Sequence, residues 1–409
     1  MSDNFLPSCT SYNHQSINYI ELLPQLFLPP KNWKLKTKNY MTLHLFIAGT
    51  GGVGKALIEQ ILHKHGLLYQ SHEIDIVVNG IINSRLMRLS QQGIPLQETL
   101  AEGTEWRKAD LPAFISYIQR LKISGALFVD VTANEHVAAT YLNLLQSGIH
   151  VVACNKIACS APMAHYARLK AAAKESGATF LYNTNVGAAL PYLQSMKQLH
   201  LAGERIDRFE AVLSGTLSYI FGSYDGTRPF AHIVREAHQS GYTEPDPRID
   251  LQGIDVMRKL LILCREIDIP LEEKDVVKTS FLPESCLKGS LDDFYNALLS
   301  QEEHFKQRLE ETQAQGAKLK YIASWERGTA STGLASIGLQ SVLPQHPIFN
   351  LGPKDNILLI HSEHYLSPLS IIGAGAGAQG TAMGVLSDIV SIGVFVNALS
   401  RCDTGLPLC

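Results

Sequence analysis

Leu43-His44-Leu45-Phe46-Ile47-Ala48 runs straight into Gly49-Thr50-Gly51-Gly52-Val53-Gly54, and Lys55 to His65 follows with the apolar spacing of a helix. In a strand–turn–helix unit of this kind the glycines have separate tasks. Gly49 permits the tight turn, Gly51 lets backbone approach a pyrophosphate, and Gly54 lets the helix pack closely on the strand. The free N–H groups and dipole of the helix N-terminus then face the phosphates, beside Gly52 and Val53. A glycine pattern alone is equally an ordinary turn, so its context decides.

That context alternates. Ile74 to Ile82 reads as a buried strand, Leu111 to Leu121 as a helix, and Ala126 to Val131 as a strand. Glu135 to Ser147 reads as a helix and His150 to Ala153 as a short strand. Continuous apolar strands between helices predict an α/β fold, a Rossmann-type doubly wound parallel sheet covered on both faces. Residues 41–180 are expected to form this nucleotide-binding domain, after a Pro-, Asn- and Ser-rich leader over 1–40 that looks poorly ordered.

Beyond about residue 180 short strands (Arg208 to Ser214, Lys318 to Ser324, Asn356 to His361) mix with helical stretches (Phe230 to Ser240, Gly253 to Ile267, Leu291 to Glu311). They predict a second α+β domain over 181–375, for substrate binding and dimerisation. A glycine-rich run, Gly373 to Gly377, precedes a C-terminal helix over 376–400, expected to return to the nucleotide domain.

Composition narrows the function. Thirty-five basic against 38 acidic side chains give −3, without the positive footprint of a nucleic-acid or polybasic membrane binder. Seven scattered cysteines form no C-x-x-C pair, which disfavours zinc and suits a reducing compartment. No uninterrupted apolar run approaches the roughly 18 to 20 residues of a membrane span. The expected setting is cytoplasmic.

At the end of the second strand, where an acid commonly holds a ribose 2′-hydroxyl, stand Asn83, Ser84 and Arg85. A guanidinium and a hydroxyl suit a 2′-phosphate, so NADP(H) is expected to bind at least as well as NAD(H); the other reading of Arg85 is a solvated charge. Lys156 follows the strand His150 to Ala153, where open α/β sheets bind ligands, although a loop charge would look the same. Gly241-Tyr242-Thr243-Glu244-Pro245-Asp246-Pro247-Arg248, with Asp250 beyond, could neutralise a substrate ammonium or be an acidic surface loop. Asp255 and Lys259 stand at i and i+4 on one helix face. They form either an exposed salt bridge or an aspartate orienting a lysine beside substrate.

With these strings in order, the chain resembles a homoserine dehydrogenase, particularly the dehydrogenase half of fused aspartokinase–homoserine dehydrogenases, from about Leu43 to Leu399. Asn155-Lys156, Asn185 to Ala188 with Pro191, Leu213 to Phe221, Gly241 to Arg248, Asp255 to Lys259, and Gly373 to Gly377 with Thr381-Ala382 carry the match. The resemblance implies reversible reduction of L-aspartate 4-semialdehyde to L-homoserine with NAD(P)H, in threonine and methionine biosynthesis. It assigns Glu244, Asp250 and Asp255 to substrate, Lys259 and Lys156 to the proton, and Thr132, Lys156, Gly241 and Gly377 to the cofactor. It also implies a homodimer built through the second domain.

The resemblance further implies a monovalent cation, Na⁺ on backbone carbonyls, at Asn183, Val186, Ala188 and Leu190. Asn183 stands where the family often has an acid, Ala189 replaces a glycine, Ile249 replaces an acid, and Thr132-Ala133-Asn134 replaces a more hydroxyl-rich triplet. With no kinase-sized region before residue 41 and no regulatory module after Leu399, a monofunctional enzyme without threonine sensing is expected. The competing readings are a catalytically silent NADP-binding sensor and a related amino-acid dehydrogenase.

Overall fold

The computed structural model describes residues 40–100 and 105–404, with side chains to 400; the predicted leader, apart from Tyr40, lies outside the described residues. Among the described residues thirteen strands form two sheets. The first contains β1 (Met41–Ala48), β2 (Ile74–Ile82), β3 (Leu86–Ile94), β4 (Arg107–Lys108), β5 (Ala126–Asp130), β6 (His150–Ala153) and β7 (Phe180–Leu181), in the order β4-β3-β2-β1-β5-β6-β7. The five strands from β2 to β7 run parallel. Their buried, Val/Ile/Leu-rich sequences suit a sheet covered on both faces.

The edge departs from expectation. β3 and β4 are antiparallel additions, so Asn83-Ser84-Arg85 is also a hairpin turn. Asn83 Oδ1 accepts from the backbone N–H of Arg85 and of Leu86, both at 2.8 Å, which closes that turn.

The second sheet holds β8 (Ile206–Val212), β9 (Val276–Thr279), β10 (Lys318–Glu326), β11 (Leu334–Val342), β12 (Asp355–Ser362) and β13 (Leu369–Ala374), in the order β13-β12-β8-β10-β11-β9. All its pairings are antiparallel except β11 with β9. One hydrophobic core is continuous from Phe46 and Phe128 of the first sheet to Phe209 and Trp325 of the second, so apolar burial joins the two sheets.

Two predicted helices are each a pair. Glu135 to Ser147 divides into Glu135–Ala138 and Tyr141–Gln146, where Thr140 Oγ1 donates to the Val137 carbonyl at 2.7 Å and competes with the helical ladder. Leu291 to Glu311 divides at Gln301. There the Glu302 carboxylate turns away to accept from Tyr224 Oη and the Phe230 N–H.

Helix Ala378–Thr404 packs on helix Gly52–His72 and on β1, β2 and β6. Ala382, Val385, Leu386, Ile389 and Ile392 join the core of Leu43, Leu57 and Ile76. This helix corrects the expectation about apolar runs: Ala378–Ser400 is long and apolar enough, by length and composition, to cross a membrane. Its interspersed Gly, Ser and Thr conceal that in the sequence. Its packing against protein, with a buried Asp388, fits the core helix of a folded domain.

Candidate active site

The glycine loop begins where β1 ends. Gly49 has φ +113°, and a Cβ there would lie 2.9 Å from the Val131 carbonyl oxygen; a Cβ on Gly54 would lie 2.2 Å from the carbonyl oxygen of Gly49. These two glycines are demanded by packing. Nothing lies within 4 Å of a Cβ built on Gly51, the N-cap of helix Gly52–His72, and no side chain caps that helix. Free N–H groups facing open space are what a pyrophosphate requires, so the loop fits a dinucleotide.

Neighbouring residues frame that space. Gly52 approaches Ala378, whose Cβ is 3.5 Å from a Cβ built there, which puts Gly377 beside the glycine loop with open space of its own. Gln60 reinforces the junction by donating to the backbone and side-chain oxygens of Gln379. Asn83 Nδ2 donates to Thr50 Oγ1 at 3.0 Å, tying the hairpin turn to the loop. Ser84 and Arg85 are exposed on that turn. Gly241 lies exposed elsewhere, and no described contact ties it to the glycine loop.

The strand ends are held by a residue that the motif reading passed over. Asp130, fully buried at the end of β5, accepts from the Thr132 N–H (2.7 Å), Tyr141 Oη (2.5 Å) and Asn155 Nδ2 (3.0 Å). Burial pushes its pKa up and these donors pull it down. Asn155 also accepts from the Ile157 N–H through Oδ1. Thr132 and Lys156 are thereby fixed relative to each other. A charged residue closing the apolar string Ala126-Leu127-Phe128-Val129 was the available signal.

Lys156 meets the other lysine through an aspartate. Asp255 lies between two ammoniums, with Oδ1 3.4 Å from Lys156 Nζ and Oδ2 2.8 Å from Lys259 Nζ. Lys259 is buried on helix Ile254–Arg265, and its Nζ also donates to the Leu213 carbonyl at 2.7 Å. Surrounding protein pushes the Asp255 pKa up, but Lys259 and Lys156 override this and hold it well below the usual range. Burial, with a contribution from Lys156, lowers the pKa of Lys259, while Asp255 opposes that shift. The i, i+4 pair therefore joins a buried lysine to a half-exposed aspartate, which shares its carboxylate with a lysine from the first sheet.

Glu244 and Asp250 approach this centre. The Glu244 N–H donates to Asp250 Oδ2 at 2.8 Å, and the Glu244 side chain is exposed. Burial raises the pKa of Asp250, and the charges of Glu244 and Asp255 raise it further. A carboxylate within electrostatic reach of two others favours a cationic ligand. Asp246 is otherwise engaged, pairing with Arg248 at 2.8 Å and capping helix Pro247–Leu251.

The loop expected to hold a cation is tied to helix Ala378–Thr404. Asn183 donates to Asp388 from Nδ2 (2.6 Å) and from its backbone N–H (3.1 Å). The Leu190 carbonyl accepts from the Tyr192 N–H, Val186 is buried, and Ala188 has φ +53°. These contacts latch the loop to helix Ala378–Thr404 through the Asn183 side chain and N–H, not through its carbonyl.

A phosphate-ready helix at the end of a parallel sheet, together with a lysine–aspartate–lysine cluster that joins the strand-end Lys156 to helix Ile254–Arg265, fits the class of dinucleotide-binding proteins with a side-chain reaction centre. Two family models cover the same ground: "Homoserine dehydrogenase, NAD binding domain" matches residues 49–183 and "Homoserine dehydrogenase" matches 191–390. The chain belongs to the homoserine dehydrogenase family.

Among curated relatives, a bifunctional aspartokinase/homoserine dehydrogenase of Haemophilus influenzae is 36% identical over 86% of this chain and 43% of its own length. A chloroplastic one of Zea mays is 35% identical over 88% and 39%. The chain thus spans about two fifths of the length of these relatives. Among solved structures, a Candida auris protein of unknown function is 28% identical, with TM-score 0.78 over 86% of this chain and 98% of its own. A hyperthermophilic archaeal homoserine dehydrogenase in complex with NADPH shares the fold, at 21% identity and TM-score 0.65 over 86% and 97%.

Proposed function

We propose that this chain catalyses the reversible reduction of L-aspartate 4-semialdehyde to L-homoserine with NADPH, and with NADH less well. The observation that carries the reading is the shared carboxylate: Asp255 bridges Lys156 and Lys259, bringing a strand-end lysine and a buried helix lysine to one point.

When bound, the nicotinamide supplies the hydride. The Lys259 ammonium, aimed by Asp255 and the Leu213 carbonyl, polarises the aldehyde oxygen and gives its proton to the forming alkoxide. Its lowered pKa eases that transfer, and the neutral amine takes the proton back in the reverse direction. Lys156 reinforces the positive field from the cofactor side. Glu244 and Asp250 receive the substrate ammonium, relieving the repulsion among the carboxylates. Gly49, Gly51, Gly52, Val53 and Gly54 hold the pyrophosphate, Thr132, Gly241 and Gly377 line the cofactor, and Arg85 with Ser84 takes the 2′-phosphate. The enzyme works in the cytoplasm as a homodimer.

NADPH oxidation with aspartate semialdehyde tests the reading. Wild type turns over, and Lys259→Ala lowers kcat by about 10³, in keeping with loss of a general acid and its charge together. A wild type that binds NADPH but does not turn over this aldehyde would favour the silent sensor. A fully active Lys259→Ala would remove the lysine from the chemistry.

A further inference from the structure

Arg265 ends the helix that carries Asp255 and Lys259, next to the fully buried Cys264, and its side chain is completely inaccessible. A fully buried guanidinium is costly unless its donors are used. Here Nη1 donates to the carbonyls of Cys159 (2.7 Å) and Ala161 (2.6 Å), and Nη2 to the Leu271 carbonyl (3.1 Å) and the Glu272 carboxylate (3.3 Å), so both terminal nitrogens are used and Nε alone lacks a partner among the described residues. The other Glu272 oxygen accepts from the Met163 N–H at 2.7 Å. Cys159 and Ala161 close the short helix Ile157–Ser160, and the residue that opens it is Lys156.

One short segment is therefore fastened to one helix at both ends. At its start the link is Lys156 to Asp255; at its finish it is the carbonyls held by Arg265. The first link is a single ion pair between partly exposed groups at 3.4 Å, too weak alone to fix a lysine within the tolerance that catalysis needs. The second is a planar fork of charge-assisted hydrogen bonds, the more rigid kind.

We infer that Arg265 is a positioning residue for the proposed dehydrogenase reaction: by bracing residues 159–161 against helix Ile254–Arg265 it sets the distance between Lys156 and the Asp255–Lys259 pair. The inference rests on the function proposed above only for the activity it affects. Without the brace Lys156 withdraws, Asp255 serves Lys259 alone, and the proton on Lys259 is held more tightly. Lysine is a poor replacement because one ammonium cannot hold two carbonyls, a third carbonyl and a carboxylate in fixed directions.

The test uses the full chain carrying Arg265→Met or Arg265→Lys, each also combined with Lys156→Met. One readout needs no turnover: NMR of ε-13C-lysine-labelled protein without cofactor, in which the Lys259 titration midpoint rises in both Arg265 variants. With NADPH and aspartate semialdehyde, kcat falls about tenfold or more while KM for the aldehyde stays within about threefold, and the pH limb governed by Lys259 moves upward with the NMR midpoint. In the Lys156→Met background the Arg265 change adds less than about twofold, since the pair acts as one unit.

Unmoved midpoints, or the same fractional loss with and without Lys156, would overturn the inference and leave Arg265 as packing alone. If Arg265→Met does not fold, Glu272→Gln decides. It loosens one anchor at a partly exposed position, and a Lys259 midpoint unchanged there overturns the inference equally. Wild type inactive on the aldehyde would refute the function while the NMR result still judged the brace.

Discussion

The cofactor end and the reaction centre are built from opposite materials. Around Gly49 to Gly54 the working groups are backbone N–H groups and empty space, and the side chains matter by being absent. Around Asp255 they are side chains brought from Lys156, 99 positions earlier in the chain, and from Lys259 on the same helix. A backbone site is complete once one strand–turn–helix has formed. A side-chain site waits for the tertiary structure.

The glycines offer the largest effect by which to break this comparison. Gly54→Ala places a methyl 2.2 Å from the Gly49 carbonyl oxygen, an overpacking that costs about 1 to 3 kcal/mol or more. We expect lower thermal stability and at least tenfold weaker NADPH binding. Gly51→Ala meets nothing within 4 Å, so the cofactor-free chain keeps its melting temperature while NADPH binding still weakens. Calorimetry and fluorescence titration of both variants check this; equal melting losses would undo the distinction between packing glycines and ligand glycines.

Asp388 gives the next effect. It is fully buried, and burial holds its pKa up at about 6 despite the donors of Asn183. A carboxyl raised on folding favours the folded state at low pH, and that contribution is lost as pH rises through about 6. A shift of roughly two units corresponds to about 3 kcal/mol. Relative to Asp388→Asn, wild type should lose about that much stability between pH 4 and 8, seen as melting curves that diverge with pH. Parallel curves would mean that Asp388 is already ionised throughout.

Arg85 gives the smallest. Exposed on its hairpin turn, it should matter only to the 2′-phosphate: Arg85→Ala raises the NADPH KM about tenfold, near 1.4 kcal/mol, and leaves that for NADH unchanged. Equal changes for both cofactors would assign Arg85 to the turn and not to the phosphate.

Legibility in the sequence follows the same division. Helix Leu111–Leu121 and strand His150–Ala153 keep their predicted ends, because caps, periodicity and glycines act over a few residues. β3 escaped since Arg88, Ser90, Gln91 and Gln92 break any alternation, and it is stabilised by its pairing with β2. Asp130 and Asp388 escaped because their importance lies in partners and burial. Asn183 and Asp388 are 205 positions apart, and no local pattern signals such a pairing. Lys259 could be placed on a helix face, yet the Leu213 carbonyl that aims it emerges only from the packing of β8 beside that helix.

Helix Ala378–Thr404 covers the first strands of the fold, and this sets a timetable. During synthesis the glycine loop and its sheet emerge first, but the apolar surface of Leu43, Leu57 and Ile76 is not sealed until Val385, Ile389 and Ile392 follow. From the end of β7 to that helix is about 200 residues, so at roughly 5 to 20 residues per second the nascent nucleotide-binding sheet is exposed for about 10 to 40 s. A chain interrupted before residue 378 would carry Gly49, Gly51, Gly52, Gly54 and Gly377, together with a bare hydrophobic flank. Such a chain would be a substrate for chaperones before it could bind a dinucleotide.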